Sequence, residues 1–137
     1  MNWRMQRIRV EAAMAAAGFS VSRRADIDAD AGSWVIIRDV PLPLGYNRAS
    51  TDILFLLPAS YPAVPPDWFY LDPGLRGPRG PLRHYFEAQA GHAPVRKGWA
   101  AGSLHIRGWA PSSDPMRGHS LMHLCQLAKE AFARWAQ

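Results

Sequence analysis

"GWAAGSLHIRGWAP", residues 98–111, is where residue types suited to chemistry fall at a useful spacing. Ser103 and His105 are two apart, and in extended backbone such side chains leave the same face. A serine hydroxyl is a poor nucleophile until a base takes its proton. Histidine titrates near neutrality and suits that task, an effect typically worth about 10²–10⁴-fold. The alternative is plain: serine and histidine in a glycine-rich loop are polar loop residues with no reaction to perform. "GHAPV" at 91–95 adds His92, and "LRHYFE" adds His84 and Tyr85, which either line the same cleft or anchor a loop. Arg96, Lys97 and Arg107 either steer an acidic partner or form a solvated loop surface. Trp99 and Trp109 flank the loop and are expected to pack it down. His119 and His123, four apart on a helix and without a third ligand, read as a solvated edge.

The sequence has one cysteine, Cys125. It falls on the apolar stripe of a helix beside Leu121, Leu124 and Ala128, where burial raises a thiol's pKa and closes access, so it is expected to be inert. A lone cysteine excludes an internal disulfide framework and fits a reducing, cytoplasmic setting. With scattered histidines it gives no zinc spacing, and neither metal nor cofactor is expected.

Several elements must position these groups. Residues 2–17 read as a helix rich in alanine, with Gly18 placed to stop it. An extended stretch from Phe19 runs to the acidic turn "DIDADAGS". "WVIIRDVPLPL" from Trp34 is a β-branched strand that breaks at Pro41 and Pro43. "TDILFLLP" from Thr51 is a strand apolar enough for burial on both faces, and "WFYLD" is a short fourth strand. Residues 73–97 hold four glycines and four prolines and read as a long loop. Ser112, Ser113 and Asp114 look like a helix-start cluster for a last helix over about 117–135. There Leu121, Leu124, Cys125, Ala128, Phe132 and Trp135 repeat at three- and four-residue steps. The order predicts an α+β fold in one domain over residues 1–137, an antiparallel four-stranded meander with both helices on one sheet face.

Bulk composition agrees. At 137 residues the chain buries a core, and 48% apolar with 20% charged residues excludes disorder. The apolar runs are too short to span a bilayer, and the N-terminus, interrupted by arginines, does not read as a secretory signal. Net charge is +5, which favours acidic partners. Nucleic acid is not expected among them, because the basic residues lie in a loop without interleaved aromatics and no known motif is present.

"YPAVPP" at 61–66 is the stiffest segment. Pro62, Pro65 and Pro66 fix φ and remove donors, so none belongs in a central ladder, and Tyr61 and Val64 are pushed to extended geometry. Together with the order of elements and "WAP" at 109–111, this segment resembles the Tyr-Pro-x-x-Pro-Pro of the ubiquitin-conjugating enzyme superfamily. "LPLGYN" followed by "TDILFLLPASYPAVPPDWFY" is similar to a divergent prokaryotic branch that lacks the usual catalytic cysteine. The resemblance implies a carrier that takes a ubiquitin-like modifier from an adenylating activating enzyme and passes it to an acceptor. Family members hold the active cysteine shortly before "WxP", after a His-Pro-Asn triad. Here no cysteine precedes Trp109, and His92 only faintly echoes the triad. Alignment with that loop puts Ser103 and His105 near the missing cysteine and implies an oxyester on Ser103. Arg96, Lys97 and Arg107 would then steer the modifier or stabilise an oxyanion, and Trp109 would shield the ester. Arg4, Arg7 and Arg9 on the first helix would present charge to the activating enzyme. A fold retained only for binding a ubiquitin-like protein or its activating enzyme is the competing expectation.

Overall fold

The computed structural model describes residues 2–87, 97–104 and 106–136. Helix α1, Trp3–Ala17, opens where the Asn2 side chain accepts from the Met5 N–H at 3.1 Å, and it ends at Gly18. Four strands follow as a meander: β1, Ala25–Ile27; β2, Trp34–Pro41; β3, Ser50–Leu56; and β4, Trp68–Leu71. Within β2 the register shifts between Ile37 and Val40, where Asp39 adopts a φ of 53°. Asp52 holds that bulge, accepting from the Asp39 N–H and from Arg38, both at 3.0 Å.

The sheet has six strands, which corrects the expected four. Strand β5, Tyr85–Phe86, and strand β6, Ala100–Ser103, complete an antiparallel order β1-β2-β3-β4-β6-β5. "AAGS" carries no β-branched or aromatic residue, so local propensity hides β6. Its cause is tertiary. β6 pairs along the whole of β4, from Trp68↔Ser103 to Leu71↔Ala100. Small residues are needed there, because a Cβ on Gly102 would lie 2.6 Å from Trp135 and 2.8 Å from Phe69.

Helix α2, Leu121–Trp135, starts later than expected. Ser120 is its N-cap, accepting from the Met122 N–H, whereas Ser112 and Asp114 cap the turns before it. The predicted stripe is buried, and Ala131, not among the predicted residues, is buried with it. Phe132 and Trp135 meet Phe69 edge-on and stacked, with centroids 6.0 and 5.7 Å apart. Both helices lie on one sheet face, over a core that includes Ile8, Ile37, Phe55, Phe69 and Leu124. The other face carries a smaller cluster of Leu54, Tyr70 and Ala101, flanked by Trp34, Trp68 and Trp99. No described helix is long and apolar enough to cross a membrane.

Candidate functional site

The proline segment crosses from β3 to β4 outside the ladder, as its prolines require, and the Tyr61–Pro62 peptide is cis. Tyr61 is 1% exposed, and its hydroxyl donates to Glu11 Oε1 at 2.6 Å. Glu11 is itself fully buried. Its Oε1 also accepts the Leu121 N–H at 2.8 Å, the first of α2, and its Oε2 pairs with Arg7 at 2.6 Å. Burial, with the Glu11 carboxylate beside it, holds the Tyr61 hydroxyl far above its ordinary pKa. Arg7 also donates to the Ser112 carbonyl. Arg4 donates to the carbonyls of Tyr61, Ala31 and Pro58 at 3.2, 3.0 and 3.0 Å, clamping the crossing onto α1. Of the three arginines expected to present charge on α1, Arg4 and Arg7 are therefore engaged internally, and Arg9 alone is exposed.

From the crossing, contacts lead to the "WAP" turn. Trp109 Nε1–H donates to the Pro62 carbonyl at 2.7 Å, and its indole packs on Tyr61 with centroids 6.2 Å apart. On its other side Trp109 stacks on His119 at 5.6 Å. His119 Nδ1 accepts the Ala110 N–H at 2.8 Å, which puts the proton of the neutral ring on Nε2. His123 stands edge-on to His119 at 4.9 Å. Partial desolvation, and then the neighbouring His119, hold the exposed His123 below the usual histidine pKa. The two histidines thus do more than form a solvated edge: with Trp109, Arg107 and Leu127 they line a hollow of about 320 Å³.

Ser103 is the last residue of β6 and is half-buried. Strand alternation puts it with Ala101 on the face away from the helices, and as a strand end it also borders a hollow of about 250 Å³. Leu104, Leu127, Glu130 and Arg134 complete that hollow's walls. Leu127 and Glu130 belong to both hollows, so the two adjoin as a strip beside α2. The Ser103 hydroxyl makes no hydrogen bond among the described residues. His105, the base expected beside it, lies outside the described residues, as do His92 and Arg96. Lys97 and Arg107 are exposed.

The remaining candidates make structural contacts. Trp99 joins the cluster on the open sheet face while Trp109 packs on the helix side, so the two indoles serve different layers. Tyr85 anchors the long loop, donating to the Asp72 carbonyl at 2.7 Å and accepting the Leu75 N–H at 3.2 Å. Burial pushes the Cys125 thiol, 3% exposed, up to about 12, which leaves it without a usable thiolate. Among the described residues no group of three His, Cys, Asp or Glu side chains is placed to hold a metal.

Sequence reasoning missed Glu11 and the hollow-lining role of His119 and His123. Glu11 gave a faint signal: a carboxylate four residues after Arg7 on an otherwise apolar helix face. The histidine pair gave none, because its partner Trp109 is brought to it by the 110–119 turn, closed by the His119 N–H to the Ala110 carbonyl at 3.0 Å.

With this geometry in place, the chain is matched over residues 15–130 by the family model described as Prokaryotic E2 family E. The chain belongs to that family of ubiquitin-conjugating-enzyme-like proteins. No curated protein and no solved structure matches it. Membership assigns it to ubiquitin-like conjugation as a class, and the two-helix, antiparallel-sheet architecture agrees with that class apart from the two added strands.

Proposed function

We propose that this protein accepts a ubiquitin-like modifier from an adenylating activating enzyme, holds it as an oxyester on Ser103, and transfers it to an amine or another acceptor. Family membership supports the conjugation role. One observation carries the choice of residue. Ser103 is half-buried at the end of β6 and its hydroxyl is uncommitted among the described residues, whereas the only thiol, Cys125, is sealed in the core.

In the first step Ser103 Oγ attacks the activated carbonyl carbon at the modifier's C-terminus, and His105 takes the hydroxyl proton. The Oγ–C bond forms, and the activating enzyme's leaving group, AMP or a thiolate, departs. In the second step an acceptor amine attacks the same carbonyl, the Oγ–C bond breaks, His105 returns its proton to Ser103 Oγ, and the proton the amine loses passes to the freed imidazole. The strip along α2 is open to an extended modifier tail, with Arg107 at its rim to attract acidic groups and Trp109 to limit water. With modifier, activating enzyme and ATP, the chain should form an adduct that thiols leave intact and hydroxylamine cleaves. An adduct that survives Ser103→Ala would remove the assignment.

A second reading is a binding module that holds a ubiquitin-like protein or its activating enzyme without chemistry. It is favoured by the lack of any described acid or base bonded to the Ser103 hydroxyl. Saturable binding with no covalent product under any condition is its signature, and a covalent adduct excludes it.

A further inference from the structure

The far edge of the sheet carries a second feature, separate from Ser103. Strand β1 is terminal in the strand order. The Arg38 N–H bonds the Arg24 carbonyl and the Asp28 N–H bonds the Trp34 carbonyl, so residues 24, 26 and 28 direct their backbone groups toward β2. Antiparallel alternation then turns the N–H and C=O of Ala25 and Ile27 outward, and neither residue has another backbone partner among the described residues. Their side chains face α1, and between the helix and this edge lies a hollow of about 460 Å³.

Alanines make that hollow. Ala12, Ala13, Ala16 and Ala17 of α1 line it where larger side chains would close it. Arg9 and Arg23 line it too, and neither has an acidic partner among the described residues. Arg23 is anchored by its backbone N–H to the Ala16 carbonyl at 2.8 Å, and its Nε is buried with no acceptor. Edge strands are often guarded by charged residues that repel other strands, but such guards are solvated and mobile. Arg23 is half-buried and Arg9 exposed, and with no acidic partner among the described residues their guanidinium groups can meet an incoming carboxylate at the hollow.

We infer that the β1 edge and the adjoining Arg9/Arg23 hollow form a docking site for an extended segment of a partner protein, which adds as a strand beside Ala25–Ile27 and directs an acidic side chain into the hollow. The backbone ladder supplies binding that ignores sequence, and the arginines select a carboxylate. A second copy of this chain is a poor occupant. Edge-to-edge pairing about a two-fold axis would bring the partner's Ala25 and Ile27, both apolar, to the helix side. The site is independent of Ser103, so either proposal can fail alone.

The test uses the full chain, ¹⁵N-labelled, and a capped peptide, Ser-Val-Glu-Val-Thr-Ser, alongside its glutamine counterpart and inorganic phosphate. The site is supported if the glutamate peptide shifts the Ala25 and Ile27 amides and slows their exchange. Both the glutamine peptide and the Arg23→Gln chain should then bind at least about tenfold more weakly. Ala17→Leu, a good helix former that fills the hollow, should weaken binding similarly while the rest of the amide spectrum stays folded. The inference is overturned if the two amides do not move at millimolar peptide, if both peptides bind equally, or if phosphate alone binds the hollow and the peptide does not.

Discussion

The proline crossing and the strip beside Ser103 meet at Trp109, yet they are built on opposite principles. At the crossing most polar groups are answered, Arg7 Nη2 being a buried exception: Glu11 takes three donors, Arg4 reaches three carbonyls, and Tyr61 is sealed beneath them. Along the strip fewer polar groups are answered, His119 Nδ1 and Trp109 Nε1 being bonded to backbone. Ser103 lacks a described partner, Arg107 is exposed, and two histidines face a hollow. A satisfied network in low dielectric is rigid, because breaking any member leaves a buried group uncompensated. The contrast suits the crossing to holding and, under the proposed function, the strip to meeting a ligand.

The sharpest way to break this contrast is Glu11→Ala. It orphans the Tyr61 hydroxyl and the Leu121 N–H and leaves Arg7 half-paired, and should cost about 3–5 kcal/mol in urea unfolding. A loss below about 1 kcal/mol would mean that the crossing is not the brace described here. Next in size is Gly102→Ala, whose methyl would collide with Trp135 and Phe69 and cost about 1–3 kcal/mol. Because Gly102 precedes Ser103, that variant should also lower modifier loading more than its stability loss explains. Trp109→Phe removes the bond to the Pro62 carbonyl but keeps the stacking, at about 0.5–1.5 kcal/mol. Smallest of all is Ser103→Ala, within about 0.5 kcal/mol of the parent, since the hydroxyl supports nothing among the described residues. A larger loss would move Ser103 from the open region to the braced one.

Chemical reactivity sharpens the same line. With its thiol pushed up to about 12, Cys125 should resist alkylation at mildly alkaline pH in the folded protein and react on unfolding. Ready alkylation of the native chain would show that α2 does not seal the core.

Much of the frame was legible in the sequence because periodicity reports burial. The α2 stripe follows from spacing alone and three prolines cannot enter a ladder, whereas β3, expected to be buried on both faces, is sealed on the helix side and on the other face only at Leu54. Strand β6 was not legible. "AAGS" has no strand-forming character of its own, and it exists because Phe69 and Trp135 leave room for nothing larger. The alanines of α1 misled in a different way. They signal helix, and the sequence gives no hint that their small size opens a hollow beside Arg23. At the site itself, Ser103 and Trp109 could be singled out from type and spacing. The placing of His119 and His123 against Trp109 depends on a turn whose closure is a backbone bond.

The central claim is that an alcohol, rather than a thiol, carries the modifier. It is tested most directly by the intact mass of the chain after incubation with its modifier, activating enzyme and ATP, followed by peptide mapping. The expected product is heavier by one modifier less one water, survives excess thiol, maps to Ser103, and is absent from Ser103→Ala. An adduct that maps to Cys125, or one that persists unchanged in the Ser103→Ala chain, would contradict the account.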